Sequence, residues 1–327
     1  MPGIFEALPG IDVPVSSISS GLDQMWEGNA ASGKPAPEGE NAKAIQVNFV
    51  LHLGLLTDAA DAVRQFQTAV LFSRKYPCRV VVLCPMAEDN GVCEIRAKVY
   101  GECSIGKTPD DMRCCEFVLL SYPRCARIYL ESQVSICLSS DLPLYYWAHR
   151  FSDPARLADY RYLLTTARRV LIDSASAPAD SLDFPWPRPE NVRDLALARL
   201  LPVRQSIGQF LGRYPVEALS RDLVSIRVAH GAEVGAEAHA LLRWVRGRLD
   251  ACGAAGESSG ASLFGSMPPR AMALVFDYRA GKSFSWKADV DTAHAVFEAD
   301  FGAGKTVLPA TVSLLTPEGA LSEAMFF

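Results

Sequence analysis

The stretch IQVNFVLHLGLLTDAADAVRQFQTAVLFSRKYPCRVVVL, residues 45–83, decides the fold that the sequence predicts. It opens with a largely apolar strand, after which Asp58 and Asp61 stand where a helix has its N-cap and a first-turn acid. Apolar residues then recur at helical spacing until Pro77 ends the segment. The run Arg79–Leu83 is typical of a buried strand. This strand–helix–strand order predicts a partly parallel sheet with right-handed crossovers.

Shorter apolar runs continue the pattern beyond this opening unit. Residues 94–100 alternate strictly between apolar and polar side chains, as in a half-buried strand. Residues 115–120, 142–147 and 169–173 are compact runs of strand length, and a helix is expected over 153–166. The sequence therefore predicts a mixed, partly parallel sheet with helices.

Composition changes mark the predicted domain boundaries. A Pro-, Ser- and Ala-rich segment over 174–190 is typical of a connection between domains. Beyond it, an amphipathic helix around 238–249 and alternating strands on both sides of Gly281 predict an α+β domain that ends in an antiparallel meander. The first residues predict an arm that either wraps its own domain or docks on a partner. We therefore predict an α/β protein with an N-terminal arm and linker over 1–43, an α/β domain over 44–176 and an α+β domain over 177–327.

Composition also narrows the class of protein. The chain has 327 residues, of which 49% are hydrophobic and 21% charged, enough to build two packed cores. The net charge of −5 argues against a uniformly basic nucleic-acid surface. The first residues lack the pattern of a secretory signal, and no apolar stretch approaches the roughly 20 residues of a membrane helix. We expect a soluble, cytoplasmic protein without nucleic-acid or membrane partners, its oligomeric state left open.

Cysteines are frequent and clustered. Eight of the nine lie between Cys78 and Cys137, and none forms a Cys-x-x-Cys pair, so no metal site is expected. In a chain that is not exported, disulfides are not expected to persist, and the thiols are expected to serve mainly as small core hydrophobes. If the protein has a thiol-based redox role, the candidate residues are Cys93, Cys103, Cys114 and Cys115.

Motifs that would carry catalysis or bind cofactors are incomplete. Gly302–Thr306 resembles the end of a phosphate-binding loop, but Ala299 stands where the first glycine is required, which favours a plain hairpin turn. The turn after the first strand has one glycine where a dinucleotide site needs three. The five histidines show no zinc or nucleophile signature and are expected to be hydrogen-bonded scaffold, with His149 the least ordinary of them. We predict a protein that is not an enzyme and that has no catalytic residue, cofactor or metal.

An aromatic strand follows a turn at Asp141–Trp147, with the sequence DLPLYYW. One interpretation is ordinary core packing after a turn. The functional interpretation places Trp147 at the carboxyl-terminal mouth of the strand, where α/β sheets build ligand and partner sites.

Four short segments occur in a characteristic order and spacing within residues 45–250. They are Tyr76–Val82, Asp141–Trp147, Arg168–Ser174 and Arg193–Arg204. Together they resemble the OpcA family, the glucose-6-phosphate dehydrogenase assembly proteins of bacteria.

The resemblance implies a non-catalytic partner of glucose-6-phosphate dehydrogenase that assembles or allosterically activates this enzyme in the oxidative pentose phosphate pathway. Such an activator must bind the active oligomeric form better than the inactive one, because equal binding shifts no equilibrium. On the family's pattern, partner-binding residues are expected at Arg79, Asp141, Trp147, Arg169, Arg199 and Arg204. Structural turn and cap residues are expected at Pro77, Pro143 and Asp173. For Arg79, Arg199 and Arg204, an intramolecular salt bridge is an equally open interpretation.

Two other classes of function stay open at this point. One is an α/β enzyme or sensor of sugar phosphates or nucleotides that uses the mouth beside Trp147. The other is the thiol-based redox module.

Overall fold

The computed structural model describes residues 3–37, 42–43, 45–86, 93–106, 112–252, 262–264, 267–279 and 281–327. The chain forms two compact units, residues 1–195 with 324–327 and residues 196–323. The predicted boundaries at 43/44 and 176/177 rest on composition and stay predictions.

The first unit is built on a mixed sheet with helices, as predicted. Its elements are α1 Ile4–Ala7, β1 Ile11–Val13, α2 Ile18–Ala31, β2 Ala42–Lys43, β3 Val47–Leu53, α3 Ala59–Lys75, β4 Cys78–Pro85, β5 Arg96–Ile105, β6 Met112–Tyr122, α4 Arg127–Cys137, β7 Leu144–His149, α5 Pro154–Leu157, α6 Arg161–Thr166, β8 Arg169–Ile172 and β9 Val192–Asp194. The strand order is β1-β5-β6-β4-β3-β7-β8-β9, and β2 also pairs with β6.

The predicted strand–helix–strand unit is confirmed. Strand β3 pairs in parallel with β4 and with β7, and β6 is parallel to β4. Helix α3 begins where predicted, because the side chain of Asp58 accepts a hydrogen bond from the backbone N–H of Asp61 at 2.7 Å. The helix buries Phe66 and Phe72 against the sheet, where Phe72 meets the ring of Phe49 at 5.8 Å.

The N-terminal arm wraps its own unit. Strand β1 pairs antiparallel with β5 and forms one end of the strand order. Helix α2 lies against β5 so closely that Met25 and Trp26 fill the space that a side chain at Gly101 would need. The indole N–H of Trp26 also donates to Glu116 at 3.1 Å. Of the two alternatives that the sequence leaves open, the structure shows the first.

The second unit contains a six-stranded sheet in the order β11-β10-β12-β13-β14-β15. The remaining elements of the chain are α7 Leu195–Arg199, α8 Leu201–Leu211, α9 Val216–Ser220, β10 Leu223–His230, α10 Gly235–Ala251, β11 Ser262–Phe264, β12 Ala271–Tyr278, β13 Ser283–Asp289, β14 His294–Asp300, β15 Thr306–Thr311 and α11 Pro317–Phe326. Strands β12 to β15 form the predicted antiparallel meander. The segment Gly302–Thr306 connects β14 to β15 in a hairpin. This agrees with the prediction made from Ala299, which stands where a phosphate-binding loop requires glycine.

Helices α8 and α10 supply the other side of this core. Ile207 and Phe210 of α8 and Leu241 of α10 are buried with the aromatic residues of the meander. The ring of Phe210 stacks on that of Phe297 at 4.5 Å. None of the helices described is long and apolar enough to cross a membrane.

Candidate functional site

Four parallel strands of the first unit end side by side. The last residues of β3, β4, β6 and β7 are Leu53, Pro85, Tyr122 and His149, and we call this border of the sheet the carboxyl edge. From β3 the chain continues to β4 on one side, and β7 lies on the other, so the strand order reverses at β3. In open α/β sheets, ligands bind outside the carboxyl ends of the strands at such a point.

The backbone is tightly packed where the order reverses. The N–H of Gly54 donates to the carbonyl of His149 at 2.7 Å, which joins the ends of β3 and β7. A Cβ atom at Gly54 would overlap the carbonyl oxygen of Arg150, so glycine is required by close approach. Arg150 has a φ of 47°, in the left-handed region that residues other than glycine rarely adopt. Strained backbone of this kind concentrates at functional sites.

One face of the carboxyl edge carries a buried cluster of four side chains, which we call the tyrosine cluster: His52, Tyr122, Tyr146 and Tyr160. The two ring nitrogens of His52 lie 2.7 Å from the hydroxyl of Tyr146 and 2.8 Å from that of Tyr122. The Tyr122 hydroxyl lies 3.0 Å from that of Tyr160. Burial, with a contribution from Arg127, lowers the pKa of His52 to about 3, so the imidazole is neutral at pH 7.

The direction of the hydrogen bonds follows from proton accounting. The Tyr146 side chain is fully buried, and His52 is its only hydrogen-bond partner among the described residues, so its O–H donates to Nδ1 of His52. Neutral His52 then carries its proton on Nε2 and donates to Tyr122. Tyr122 donates in turn to the oxygen of Tyr160. The chain therefore ends with the O–H of Tyr160 as a donor without an acceptor in the described structure.

A cavity of about 570 Å³ opens beside this cluster. Its polar lining includes His52 and Tyr160 together with Arg124, Arg127 and Arg156. Apolar side chains from the same loops complete the wall, namely Leu55, Met86, Phe151 and Leu157. The cavity thus combines cationic and anionic side chains, hydroxyl groups and apolar surface, the composition of many small-molecule sites.

The opposite face of the carboxyl edge carries an ionic cluster around Asp61, which we call the Asp61 cluster. The Asp61 carboxylate lies 2.8 Å from Nε2 of His149 and 2.7 Å from Nε of Arg150, and it also contacts Arg64 and Gln65. Burial alone would raise the pKa of Asp61, but the hydrogen bonds from His149 and Gln65 and the charge of Arg150 hold it below its usual value. Burial lowers the pKa of His149 against the opposing effect of Asp61.

The chemistry available at this edge is binding by hydrogen bonds and charge. Both nitrogens of His52 are occupied by tyrosine hydroxyls, and Nε2 of His149 is held by Asp61. In the part of the chain that the structure describes, no group of three or more His, Cys, Asp or Glu side chains could hold a metal ion. His149, the least ordinary of the five histidines in the sequence, contacts Asp61.

Three predicted partner-binding residues lie along the opposite border of the sheet, which we call the amino edge. Arg79 is the second residue of β4, Asp141 stands in the turn before β7, and Arg169 is the first residue of β8. Arg79 forms an ion pair with Glu116 at 2.7 Å, which is the intramolecular alternative stated for it. Asp141 is exposed, and Arg169 is half-buried.

The other three predicted partner-binding residues lie elsewhere. Trp147 is inside β7, only 3% exposed, and its ring stacks on Phe49 at 6.4 Å, so it lies in the core and not at the mouth. Arg199 and Arg204 belong to the second unit. Arg199 pairs with Glu237 at 2.7 Å and Arg204 with Glu323 at 2.9 Å. Both arginines therefore form the intramolecular salt bridge that was the other interpretation of these residues.

The residues predicted to have turn and cap roles lie next to the ends of strands. The carbonyls of Pro77 and Pro143 each accept a hydrogen bond at 2.9 Å, from the N–H groups of Gln46 and Asn48. The Asp173 carboxylate accepts from the N–H of Ala175 at 3.0 Å. These contacts place Pro77 and Pro143 at the amino edge and Asp173 at the end of β8.

The cysteines depart from the expectation that no disulfide persists. Cys93 is bonded to Cys125, and Cys103 to Cys114, which stands directly opposite on the neighbouring strand with Cα atoms 4.0 Å apart. Cys115 is a free, buried thiol whose pKa is raised to about 12 by burial and by Glu102. Pairings between strands depend on register, which cysteine spacing alone does not reveal.

Comparison with known proteins identifies part of this unit. Residues 69–184 match the family model of the glucose-6-phosphate dehydrogenase subunit N-terminal domain, OpcA type. This segment belongs to the OpcA family. The OpcA segment runs from the middle of α3 to beyond β8, so it includes most of the cavity lining and the three residues of the amino edge. The predicted resemblance is thereby confirmed.

A curated relative extends the similarity. The chain is 24% identical over 256 residues to the "Putative OxPP cycle protein OpcA" of Synechocystis, a match that covers 74% of this chain and 53% of that protein. The chain therefore spans about half the length of this OpcA relative. A solved structure titled glucose-6-phosphate 1-dehydrogenase from Mycobacterium avium aligns with 86% of this chain and 87% of that chain, at 11% identity and a TM-score of 0.43. At that score the likeness supports no functional argument.

Proposed function

We propose that this chain is a non-catalytic assembly factor and allosteric activator that binds glucose-6-phosphate dehydrogenase and favours its active oligomeric form. The observation that carries the proposal is the match of residues 69–184 to the OpcA-type domain, which is described as a subunit of that enzyme. The name of the Synechocystis relative, an OxPP cycle protein, points to the same pathway.

The chemistry of the carboxyl edge is compatible with a role without catalysis. The two buried histidines there hold tyrosine hydroxyls and a carboxylate, and neither faces a serine, cysteine or threonine nucleophile among the described residues. The output of such a protein is a shift of the client between two states. That shift requires tighter binding to the active state, and a tenfold preference corresponds to about 1.4 kcal/mol.

The amino edge is the surface we assign to the client enzyme. Arg79, Asp141 and Arg169 stand there within the OpcA segment, and the turn that carries Asp141 is exposed. Arginines and their charged neighbours are frequent in the energetic centres of protein interfaces. Trp147, being buried, would affect the client only through the packing of β7. Arg199 and Arg204, which lie outside the OpcA segment, form a second candidate contact region.

The test is a titration of the purified chain into a glucose-6-phosphate dehydrogenase assay at low substrate, with the oligomeric mass of the enzyme followed by light scattering. We expect a saturable rise in activity and a change in mass. The double variant Asp141→Ala/Arg169→Ala should need at least tenfold more protein for half of the effect. The matched control Arg213→Ala/Asp250→Ala changes two exposed charges in the second unit and should behave as wild type.

Two results would refute the proposal. One is unchanged kinetics and mass of the enzyme at a saturating concentration of this protein. The other is conversion of a metabolite by the purified chain alone. If activation occurs but the double variant and its control act alike, the client contacts a surface other than the amino edge.

A further inference from the structure

The arginine side chains around the carboxyl-edge cavity differ in their hydrogen bonds and ion pairs. Arg127 pairs with Asp159 at 2.6 Å and lies 5.1 Å from the ring of Tyr160. The side chains of Arg124 and Arg156 have no hydrogen bond or ion pair to any residue that the structure describes. Within the described lining, the cavity therefore faces two guanidinium groups whose donors are not used by the protein.

The acidic residues of the lining form no ion pair with these two arginines. The Asp159 carboxylate is held by Arg127. Asp153 caps α5, with its side chain accepting from the N–H of Ala155 at 2.8 Å. The lining therefore has three arginines against two carboxylates, a net formal charge of +1, and two of its guanidinium groups have donors that can bind the oxygens of a phosphate monoester.

The inner wall of the cavity fits an organic group. The O–H of Tyr160 is the donor that the tyrosine cluster leaves without an acceptor, and this side chain is only 8% exposed. Leu55, Phe151 and Leu157 provide apolar surface next to it. Bare phosphate would occupy a small part of this volume, whereas a short carbon chain with hydroxyl groups would reach the donor.

From this combination we propose that the carboxyl-edge cavity binds a small phosphate monoester of the size of a sugar phosphate. The phosphate contacts Arg124 and Arg156, and a hydroxyl or carbonyl oxygen of the ligand accepts the hydrogen bond of Tyr160. The cavity lies at the edge where the order of the strands reverses, which is where open α/β sheets bind ligands. The proposal is independent of the function proposed above, since it concerns a site on this chain alone.

Isothermal titration calorimetry of the full chain, without the dehydrogenase, tests the proposal. The probes are glucose 6-phosphate, ribose 5-phosphate and glycerol 3-phosphate, with glucose and inorganic phosphate as the two partial ligands. We expect saturable binding of at least one phosphate ester, at least tenfold tighter than inorganic phosphate, and no saturable binding of glucose.

Matched variants locate the site. Arg124→Gln/Arg156→Gln should weaken binding of the ester at least tenfold, and Tyr160→Phe, which removes one hydroxyl and keeps the ring, should weaken it about threefold to tenfold. The control Arg213→Gln/Arg221→Gln removes two exposed charges from the second unit and should leave the affinity unchanged. Thermal unfolding of each variant confirms that it folds, as expected for arginines at exposed positions.

Three outcomes would overturn the assignment. The first is the absence of saturable binding for all three esters. The second is equal affinity for the esters and for inorganic phosphate, which would mean a plain anion site. The third is an unchanged affinity in Arg124→Gln/Arg156→Gln. Because the client enzyme is absent, none of these outcomes bears on the assembly function.

Discussion

The two faces of the sheet at the carboxyl edge each bury one histidine, but in opposite chemical surroundings. On one face, His52 is buried among tyrosine hydroxyls and stays neutral. On the other face, His149 is buried against the carboxylate of Asp61, which arginine side chains also contact. The two histidines stand at the ends of the neighbouring strands β3 and β7. The two clusters differ in which donors and charges remain without a partner among the described residues.

The Asp61 cluster is centred on one charge with several partners. Among the described residues, the tyrosine cluster ends in a donor without an acceptor, beside Arg124 and Arg156, whose side chains have no partner there. Clusters whose charges are matched internally stabilise a fold, and groups left unmatched next to a cavity are available to a ligand. The ionic face therefore serves the packing of α3 on the sheet, and the tyrosine face serves recognition.

The largest expected effect comes from removing the centre of the ionic face. Asp61→Ala leaves His149 and Arg150 without their buried carboxylate, and we expect the free energy of unfolding to fall by about 3 kcal/mol, as for other broken buried ion pairs. Urea unfolding followed by circular dichroism measures it. The control Asp58→Ala removes only the cap of α3 and should cost about 1 kcal/mol. Equal losses in the two variants would show that the cluster adds nothing beyond the cap.

The next effect is a pH dependence to which both buried histidines contribute, because burial lowers the pKa of His149 as well as that of His52. Below pH 6.5 the unfolded chain takes up a proton that folded His52 accepts only near its pKa of about 3, so acid favours unfolding. The free energy of unfolding should fall by about 1.4 kcal/mol per pH unit between pH 6.5 and 4.5 from this residue. The lowered pKa of Asp61 contributes a loss only at more acidic pH.

The variant His52→Gln isolates that contribution. Glutamine can both donate and accept, but it does not titrate, so the pH slope should be smaller than in the wild type by about 1.4 kcal/mol per unit. Urea unfolding at pH 6.5, 5.5 and 4.5 gives the two slopes. Parallel slopes would mean that His52 is protonated in the folded protein and that the contrast between the faces is wrong.

The smallest effect tests the direction of the hydrogen bonds in the tyrosine cluster. Tyr146→Phe removes the donor to Nδ1 of His52 and leaves a buried acceptor unpaired, which should cost about 1–2 kcal/mol. The adjacent Tyr145 is equally buried, and its hydroxyl has no hydrogen-bond partner among the described residues, so Tyr145→Phe should change stability by less than about 0.5 kcal/mol. Thermal unfolding compares the two, and similar values would contradict the proposed relay.

A structural feature can be predicted from this sequence when neighbouring residues determine it, and not when it depends on residues far apart in the chain. The unit over 45–83, the cap at Asp58 and the antiparallel meander rest on local patterns, and the structure confirms them. The short strand β9, with three residues, has no periodicity to reveal it. Neighbouring residues determine periodicity and caps, whereas pairing between distant strands depends on the whole fold.

The site was harder to predict for the same reason. The tyrosine cluster joins residues 52 and 146, which are 94 positions apart, and 122 and 160, which are 38 apart. The position of His52 at the end of a predicted strand was an available signal. For Trp147, the density of aromatic residues indicates a special strand, but β7 has a neighbour on each side, so its aromatic residues lie in the core.

The place of the arm has a consequence for the order of events during translation. The buried ammonium of Lys98 on β5 donates to the carbonyls of Phe5 and Leu8, the first of which is 93 positions earlier in the chain. At about 5–20 residues per second, the ribosome needs several seconds to make that partner strand. The arm therefore leaves the exit tunnel before the strand that it pairs with, and this pairing forms late. A nascent polypeptide halted before residue 98 would lack the strand that pairs with β1, although α3, which α1 also contacts, would already be made.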